Sequence, residues 1–531
     1  MRALVVNLTR FGDLLQSAAA LHALVHDAPA ARIGIVCLDN FAAGAELLKD
    51  VSDIYPLPAG KFSTALHVAT GTAKSDTAWI GGVKELYEWA QKVRTHFSPD
   101  RVYNFSPTIT SRLLARLLAD GKECYGFALD EFGFRQDTSI WATFLQGGAL
   151  SRLTSPFNIV DMFRKIAVAD SPASDSSLLD PPPEAVREME KELREAMPQE
   201  TKGFIALQLG ASSDIRRWPV PSFAVVADAL WEKFRLLPLL LGAKKELPLA
   251  EEYASNAGKP HYSLIGKTDI TRLAAALNLS SLLISNDTGT LHLASGLHTP
   301  VLGIYLATAQ VFDTGPHAGG NCSLEPDIPC HPCDFNVRCD KNYLCHSAVT
   351  PEAVIELACA KISSGKWAAE NFSARVWESA RDEHGFTDIL SLSGHDKTAR
   401  TRWMRLERHL YRQFFDKKKK EDLRIMPPGT PLAGCADLDP ALDGICAEAL
   451  ALLELLGEQS KMLLKNPLPQ IKNRFTLTRQ RLGVALASHP ALGAISFLWQ
   501  CESASQTDMG EALQLIQQYQ ELFRSLLPFL K

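Results

Sequence analysis

Two runs of short apolar strands alternating with helical segments constrain the fold of this chain more than any other feature. The first run opens with a strand over 3–7, a turn over 9–13 and a helix over 14–25. The second opens with a strand over 204–208 and a helix over 223–234. Because such alternation forms parallel sheets covered by helices on both faces, each run predicts an α/β domain.

Length and composition divide the chain further. Its 531 residues exceed what one hydrophobic core usually supports. A stretch rich in Ser, Asp, Pro and Glu separates the two runs, and the strand signal fades near residue 365. We therefore predict an α/β domain over 1–167, a linker over 168–202, a second α/β domain over 203–364 and a helical extension over 365–531.

Charge and hydropathy exclude several classes of protein. The net charge of -5 gives no basic field for nucleic acid, so we expect no nucleic-acid partner. The first residues lack the features of a signal peptide, and the most apolar stretch, 281–312, carries Asn286, Asp287 and His292. We expect a cytoplasmic protein, with peripheral contact to a membrane left open.

The turn after the first strand, 7–13, is the first candidate site. Gly12 allows a tight turn, and Asp13 lies at the carboxyl end of the strand, where open α/β sheets bind ligands. A carboxylate there can accept a proton from an acceptor hydroxyl as a general base. The alternative is that Asp13 caps the following helix.

The second candidate is the Gly- and Ser-rich loop over 208–219, which follows a strand. Its small residues expose backbone N–H groups, and Arg216 and Arg217 can offer charge to phosphate oxygens. The loop therefore predicts a diphosphate site. The alternative is a surface loop with solvated arginines.

The third candidate is the strand, turn and helix over 285–295. Asp287, Thr288 and Gly289 lie where a helix N-terminus presents free N–H groups, which suits a pyrophosphate. His292 lies one turn into the helix and can face the same cleft. A histidine on a mostly apolar helix can equally be a packed core residue.

These three segments, Phe11–Asp13, Gly210–Pro219 and Asn286–Ala294, resemble the signature segments of glycosyltransferase family nine, the ADP-heptose:lipopolysaccharide heptosyltransferases. The resemblance covers roughly the first 360 residues, and the helical tail lies outside it. It implies the α/β GT-B fold, in which two Rossmann-like domains face each other across a cleft, here followed by an α-helical C-terminal region.

The resemblance also implies roles for the candidate residues. Asp13 is similar to the catalytic base, and Arg216 occupies a position where the family usually has lysine. Either Arg216 or Arg217 then neutralises the leaving diphosphate. The remaining donor-binding residues implied by the resemblance are Ser212 near the phosphates, Glu246 near the ribose, and Asp287, Thr288, Gly289 and His292 at the diphosphate-binding helix.

The function implied is inverting transfer of a heptose from a nucleotide donor, ADP-heptose, to a lipopolysaccharide core or another glycan, with no cofactor required for transfer. A protein acceptor or another sugar nucleotide is the alternative within this fold. A non-catalytic nucleotide-binding scaffold is the alternative of another class. An NAD-dependent oxidoreductase is disfavoured, because no G-x-G-x-x-G turn follows the first strand.

Two features fall outside these motifs. Cys330, Cys333, Cys339 and Cys345 have the spacing C-x2-C-x5-C-x5-C, which predicts a structural zinc or iron site, the alternative being four reduced thiols. The segment 400–420 predicts a basic amphipathic helix, either on an anionic membrane surface or packed on the body of the protein. Homo-oligomer formation is left open.

Overall fold

The protein is described by a computed structural model over residues 1–60, 62, 78–150, 155–171, 176–335, 337–368, 372, 374–416 and 439–530. The strands are β1 Arg2–Val6, β2 Arg32–Leu38, β3 Asp53–Leu57, β4 Arg101–Asn104, β5 Cys124–Leu129, β6 Arg135–Asp137, β7 Gly203–Gln208, β8 Leu236–Leu241, β9 Tyr262–Ser263, β10 Ser280–Asn286, β11 Val301–Ile304, β12 Cys322–Glu325, β13 Arg375–Arg381 and β14 Thr387–Ser391.

The helices alternate with these strands as far as residue 364 and then continue without them from residue 399. They are α1 Phe11–Gln16, α2 Ala18–Asp27, α3 Ala42–Ala45, α4 Ala78–Phe97, α5 Ile109–Ala119, α6 Ile140–Leu150, α7 Ile159–Ala167, α8 Pro183–Ala196, α9 Val220–Phe234, α10 Leu247–Asn256, α11 Ile270–Asn278, α12 Gly289–Gly296, α13 Val311–Thr314, α14 Cys345–Ala348, α15 Pro351–Ser364, α16 Ala399–Phe415, α17 Pro440–Lys465, α18 Pro469–Ala487, α19 Gly493–Ser505 and α20 Met509–Leu526.

The first sheet has the strand order β3-β2-β1-β4-β5-β6 within the described residues, with β1 to β5 parallel and β6 antiparallel. The chain therefore reverses its direction of winding between β1 and β4. In open α/β sheets the crevice for ligands lies at the carboxyl ends of the strands at this reversal. The loop after β1 is tied to the loop after β4, because Leu8 N donates to Ser106 Oγ at 2.8 Å.

The second sheet has the order β14-β13-β12-β11-β10-β7-β8-β9 among the described strands. Strands β7 to β12 are parallel, and their winding reverses between β7 and β10. Every residue of β8 and β11 is buried, so both faces of the sheet are covered, as expected for a parallel sheet packed between helices. The loops after β7 and β10, which carry two of the predicted sites, both lie at the reversal.

The prediction that helices alone follow residue 364 is wrong for residues 375–391. There β13 and β14 extend the second sheet antiparallel to β12. The apolar signal that marks the other strands is weak here, because β13 carries charged residues whose burial depends on distant partners. Arg375, for example, is buried beside Glu325 with 3.5 Å between Nε and Oε2.

The described chain forms two compact units, Met1–Ser139 with Asn158–Ser393, and Ile140–Phe157 with Gly394–Lys531. The first unit holds both sheets, and the second is helical. Residues of α6 belong to the helical unit because their aromatic side chains pack there. Trp141 and Phe144 lie 5.0 Å and 4.8 Å from Phe415, measured between ring centroids.

The predicted basic helix over 400–420 corresponds to α16 over its described part, and Lys417 to Lys420 lie outside the described residues. Trp403, Leu406 and Leu410 are buried, and so are Arg408 and Arg412. These two arginines are therefore not exposed to a membrane surface. Across the described residues, the structure has no helix with the length and hydropathy needed to cross a membrane.

Candidate active site

A buried asparagine holds the loop after β7 against the end of β10. Asn286 Nδ2 donates to the carbonyl oxygens of Leu209 at 3.0 Å and Gly210 at 3.1 Å, and Trp218 N donates to Asn286 Oδ1 at 2.9 Å. The buried Trp218 indole also donates to Val349 O at 2.9 Å. Since one side chain fixes both ends of the loop, residues 210–217 have a defined position between the two strands.

Arg216 is buried within this loop and reaches the loops that follow β10 and β11. Its Nε donates to Thr308 Oγ1 at 2.7 Å, and its Nη1 lies 3.4 Å from Asp287 Oδ2. The guanidinium carbon lies 5.6 Å from the centroid of the Phe335 ring. The structure therefore brings Arg216 of the second motif and Asp287 of the third motif together.

Arg217, the next residue, has a different environment. Its Nη1 lies 2.6 Å from Asp214 Oδ1, and the two side chains are 29% and 87% exposed. Ser212 is also exposed on this loop. Of the two predicted arginines, Arg216 therefore lies among the converging loops, whereas Arg217 forms a surface ion pair.

Glu246 lies against the glycines of two loops. A Cβ added to Gly210 would overlap the Glu246 carboxylate, and one added to Gly242 would lie 2.7 Å from Oε2. The carboxylate also accepts a hydrogen bond from Ala243 N at 2.7 Å. The structure thus places Glu246 beside the Gly210 loop and explains why Gly210 and Gly242 lack side chains, and its expected role near the ribose stays a prediction.

Asp13 lies in α1, at the carboxyl end of β1, and its Oδ2 accepts a hydrogen bond from Arg10 N at 3.3 Å. The N-cap residue of α1 is Arg10, so Asp13 is the third residue of the helix and its carboxylate accepts from the N-cap backbone rather than acting as the N-cap itself. The residue before Asp13 approaches the second sheet. A Cβ on Gly12 would lie 3.0 Å from the His292 ring and 3.3 Å from Gly289 Cα. The turn that carries Asp13 therefore lies beside the residues that begin α12.

The start of α12 packs tightly on α1. A Cβ on Gly289 would lie 2.6 Å from the Phe11 ring, and Thr288 Oγ1 lies 3.2 Å from Ser285 Oγ. His292 is partly buried in this contact, and desolvation lowers its pKa to about 4. His292 is therefore neutral near pH 7 and contributes no positive charge to the site.

The four predicted metal ligands lie in one segment beside this site. Burial, and after it the neighbouring thiols of Cys345, Cys330 and Cys339, raise the pKa of Cys333 to about 11. Among the described residues, however, no group of three or more His, Cys, Asp or Glu side chains is arranged to hold a metal ion. The metal site therefore stays a prediction.

Three residues that contact the site were not predicted. Asn286 was present in the third motif but was given no role, and Thr308 and Phe335 lie outside the motifs. Thr308 contacts Arg216 across 92 positions of sequence, so no local pattern could identify it. The role of Asn286 could have been predicted from the sequence, because this residue ends a buried strand directly before a predicted ligand-binding turn.

Residues 155–343 match the family model of glycosyltransferase family 9 (heptosyltransferase). Lipooligosaccharide heptosyltransferase 2 of Campylobacter jejuni is 29% identical over 163 residues, which are 30% of this chain and 50% of the relative. Lipopolysaccharide heptosyltransferase 3 of Escherichia coli is 27% identical over 133 residues, 25% of this chain and 38% of the relative. The chain thus matches half or less of the length of these curated relatives.

Solved structures agree on the fold. A glycosyl transferase family 9 structure from Veillonella parvula has a TM-score of 0.52 at 19% identity, covering 68% of this chain and 96% of that structure. E. coli ADP-heptose LPS heptosyltransferase II has a TM-score of 0.50 at 16% identity, covering 68% and 98%.

The two sheets, their facing loops and these likenesses define an α/β protein of the GT-B fold with added helices. Within that class, residues 155–343 are similar to glycosyltransferase family 9, the heptosyltransferases.

Proposed function

We propose that this protein is an inverting glycosyltransferase that moves a heptose from a nucleoside-diphosphate donor, ADP-heptose, to a lipopolysaccharide core or another glycan acceptor. The observation that carries the proposal is the approach of the Asp13 turn to the start of α12. Gly12, the neighbour of Asp13, would meet Gly289 Cα at 3.3 Å if it carried a Cβ. This approach supports assigning Asp13 as the base that acts beside the turn that would bind the donor diphosphate.

In the proposed reaction, the Asp13 carboxylate accepts the proton of the acceptor hydroxyl. At the same time, the oxygen of that hydroxyl attacks the anomeric carbon of the donor sugar. The bond between that carbon and the phosphate oxygen breaks, and the nucleoside diphosphate leaves with the bonding pair. Arg216 would stabilise the charge that develops on the diphosphate, a role that buried guanidinium groups perform well. Backbone N–H groups of the Gly210 loop and of the Asp287–Gly289 turn would hold its oxygens.

Donor binding is tested first, by thermal unfolding with ADP, UDP, GDP and their sugar conjugates. A ligand that binds the native state raises its stability. The proposal expects selective stabilisation by ADP or an ADP-sugar. Selective stabilisation by UDP or GDP would identify a donor with that nucleotide instead of ADP. The absence of any response would contradict the proposed function.

The catalytic role is tested with Asp13→Asn. Loss of a general base lowers the rate by about 10²- to 10⁴-fold, so transfer to heptose-deficient lipopolysaccharide should fall by at least about 100-fold. ADP affinity should stay within about twofold, since the base contacts the acceptor. Asp27→Asn, at an exposed position of the same domain, is the matched control.

The same transfer and binding measurements also test the two alternative functions. Transfer to a protein acceptor, and none to lipopolysaccharide, would identify a protein-glycosylating enzyme of this fold. ADP binding without transfer to any acceptor would indicate a nucleotide-binding scaffold. The lipopolysaccharide proposal places the enzyme at the cytoplasmic side of the inner membrane.

A structural zinc or iron at the four cysteines is a separate proposal. Thiolates are suitable ligands for either metal, but the four side chains are not arranged as a metal site among the described residues. The transfer step proposed above does not pass through this cluster. Elemental analysis of the purified protein for zinc and iron tests this proposal. A content of both metals well below one atom per chain would contradict it.

A further inference from the structure

The loop that holds Arg216 is itself fixed on both sides. Thr308, which accepts the hydrogen bond from Arg216 Nε at 2.7 Å, lies between Ala307 and Ala309. The Ala307 carbonyl accepts from Cys333 N at 2.8 Å. The Ala309 carbonyl lies 3.0 Å from His331 Nε2. The position of Thr308 therefore depends on the segment that carries Cys333 and His331.

The hydrogen-bond partners of His331 determine its tautomer. Nε2 faces the Ala309 carbonyl, which can only accept, so Nε2 carries the proton. Nδ1 then accepts, and it lies 2.6 Å from Arg375 Nη2. Arg375 also donates to Pro326 O at 2.7 Å. A buried cation thus orients the imidazole that holds the Thr308 loop.

A fully buried carboxylate compensates this cation. Glu325 Oε2 lies 3.5 Å from Arg375 Nε and accepts from Trp377 Nε1 at 3.2 Å. Glu325 Oε1 accepts from Val311 N at 3.0 Å, at the start of α13. Removing one member of such a pair leaves a buried charge without its partner, which is strongly destabilising locally.

We propose that Glu325, Arg375 and His331, named here the β12–β13 network, are positioning residues for Arg216. The network orients the Thr308 loop, and Thr308 orients the guanidinium. The inference rests on the proposed function in one respect, that Arg216 faces the donor diphosphate. Arg375 lies beyond residues 155–343, so a strand outside the family match would control the geometry of the donor site.

The segment after β12 supports the same assignment from a second side. The Phe335 ring lies 5.6 Å from the Arg216 guanidinium carbon, and His346 Nε2 lies 2.9 Å from Ile215 O. Both contacts involve residues of the Gly210 loop. The Arg216 side chain and its own backbone neighbour are therefore held by one segment, which the β12–β13 network anchors.

The test is a double-mutant cycle with ADP affinity as the readout. Arg375→Met should weaken ADP binding about tenfold when Arg216 is present and less than about twofold in an Arg216→Ala background, because the network acts through Arg216. Equal losses in the two backgrounds would overturn the proposal. Arg375→Lys, which keeps one donor for His331, should restore part of the affinity and remains available if the methionine variant does not fold.

Arg164→Met is the matched control for loss of a buried arginine. Arg164 is even more buried than Arg375, and its Nη2 lies 3.3 Å from Asp161 Oδ1, in the same unit but outside the network. This variant should lose stability while its ADP affinity stays within about twofold of the wild type. A tenfold loss of affinity in Arg164→Met would assign the effect to general destabilisation and overturn the proposal.

A readout without nucleotide separates this inference from the proposed function. If the wild type binds neither ADP nor inorganic pyrophosphate, the proposed function fails, and the network is tested by NMR of ¹⁵N-arginine-labelled protein. The Arg216 Nε–H resonance, assigned by its absence in Arg216→Lys, should be protected from solvent exchange in the wild type and in Arg164→Met. It should lose protection in Arg375→Met, and an unchanged resonance there would overturn the inference.

Discussion

At the scale of single residues, two adjacent arginines show how strongly environment depends on distant contacts. Arg216 is buried between Thr308 and Asp287, whereas Arg217 pairs with the exposed Asp214. The sequence predicted that one of them serves the diphosphate but could not choose between them. Which of the two arginines is buried depends on the contact with Thr308, which is 92 positions away from Arg216 in the sequence.

The two arginines give a matched pair of variants. Arg216→Ala should weaken ADP binding by at least about tenfold, since charge-assisted hydrogen bonds to phosphate are among the strongest in proteins. Arg217→Ala should change it less than about threefold, because exposed ion pairs contribute little. Isothermal titration calorimetry measures both, and a larger loss for Arg217→Ala would reassign the diphosphate contact.

His292 gives a pH dependence. Its pKa of about 4 lies below its usual value of 6.5, so the unfolded chain takes up a proton at a pH where the folded chain does not. Stability should therefore be fully present above pH 6.5 and fall towards pH 4, by about 1–2 kcal/mol at pH 5.

His292→Asn should remove this part of the pH dependence, measured as the shift in urea midpoint between pH 7.5 and pH 5. His298→Asn, at an exposed position, is the control and should behave as the wild type. If His292→Asn and wild type lose the same stability at pH 5, the imidazole is not desolvated as described.

At the scale of elements, the alternation of strands and helices was sufficient to predict both parallel sheets and to place all three motifs at strand ends. It was not sufficient for β13 and β14, because their burial depends on partners such as Glu325 rather than on an apolar pattern. The contact of α1 with α12 could not be predicted from the sequence either. The absence of a side chain at Gly12 and Gly289 is explained only by the close approach of the two helices in the folded protein.

That contact predicts the effect of Gly289→Ala. The new Cβ would lie 2.6 Å from the Phe11 ring and 3.1 Å from Gly12 N, so α1 and α12 must separate. We expect a loss of about 1–3 kcal/mol in stability, typical of overpacking, together with lower transfer activity. Gly444→Ala, in α17 where nothing lies within 4 Å of the new Cβ, should instead stabilise its helix by about 0.5–1 kcal/mol. Similar effects of both changes on thermal unfolding would contradict the tight contact.

At the scale of the whole molecule, each of the two units is built from two separate stretches of sequence. The helical unit takes residues 140–157 from the middle of the chain and residues 394–531 from its end. A sequence pattern could not show this, because α6 continues the apolar pattern of the domain that precedes it. Its assignment follows from the packing of Phe144 and Phe157 on Phe415.

This division predicts how truncation behaves. Deleting residues 394–531 removes Phe415 and Tyr411, so Trp141, Phe144 and Phe157 lose the aromatic partners that bury them. The truncated chain should aggregate, because newly exposed apolar patches promote association. Replacing residues 140–157 with a short Gly/Ser linker in the same truncation should restore a monodisperse protein in size-exclusion chromatography. Aggregation of both forms to the same extent would contradict the division.

The split helical unit also has a consequence during synthesis. Residues 140–157 leave the ribosome more than 200 residues before the chain that buries them begins to appear. At about 5–20 residues per second, the nascent aromatic segment remains without its partners for roughly 10 to 50 seconds. We therefore expect this segment to expose its aromatic side chains during synthesis until α16, which carries Phe415, has been made.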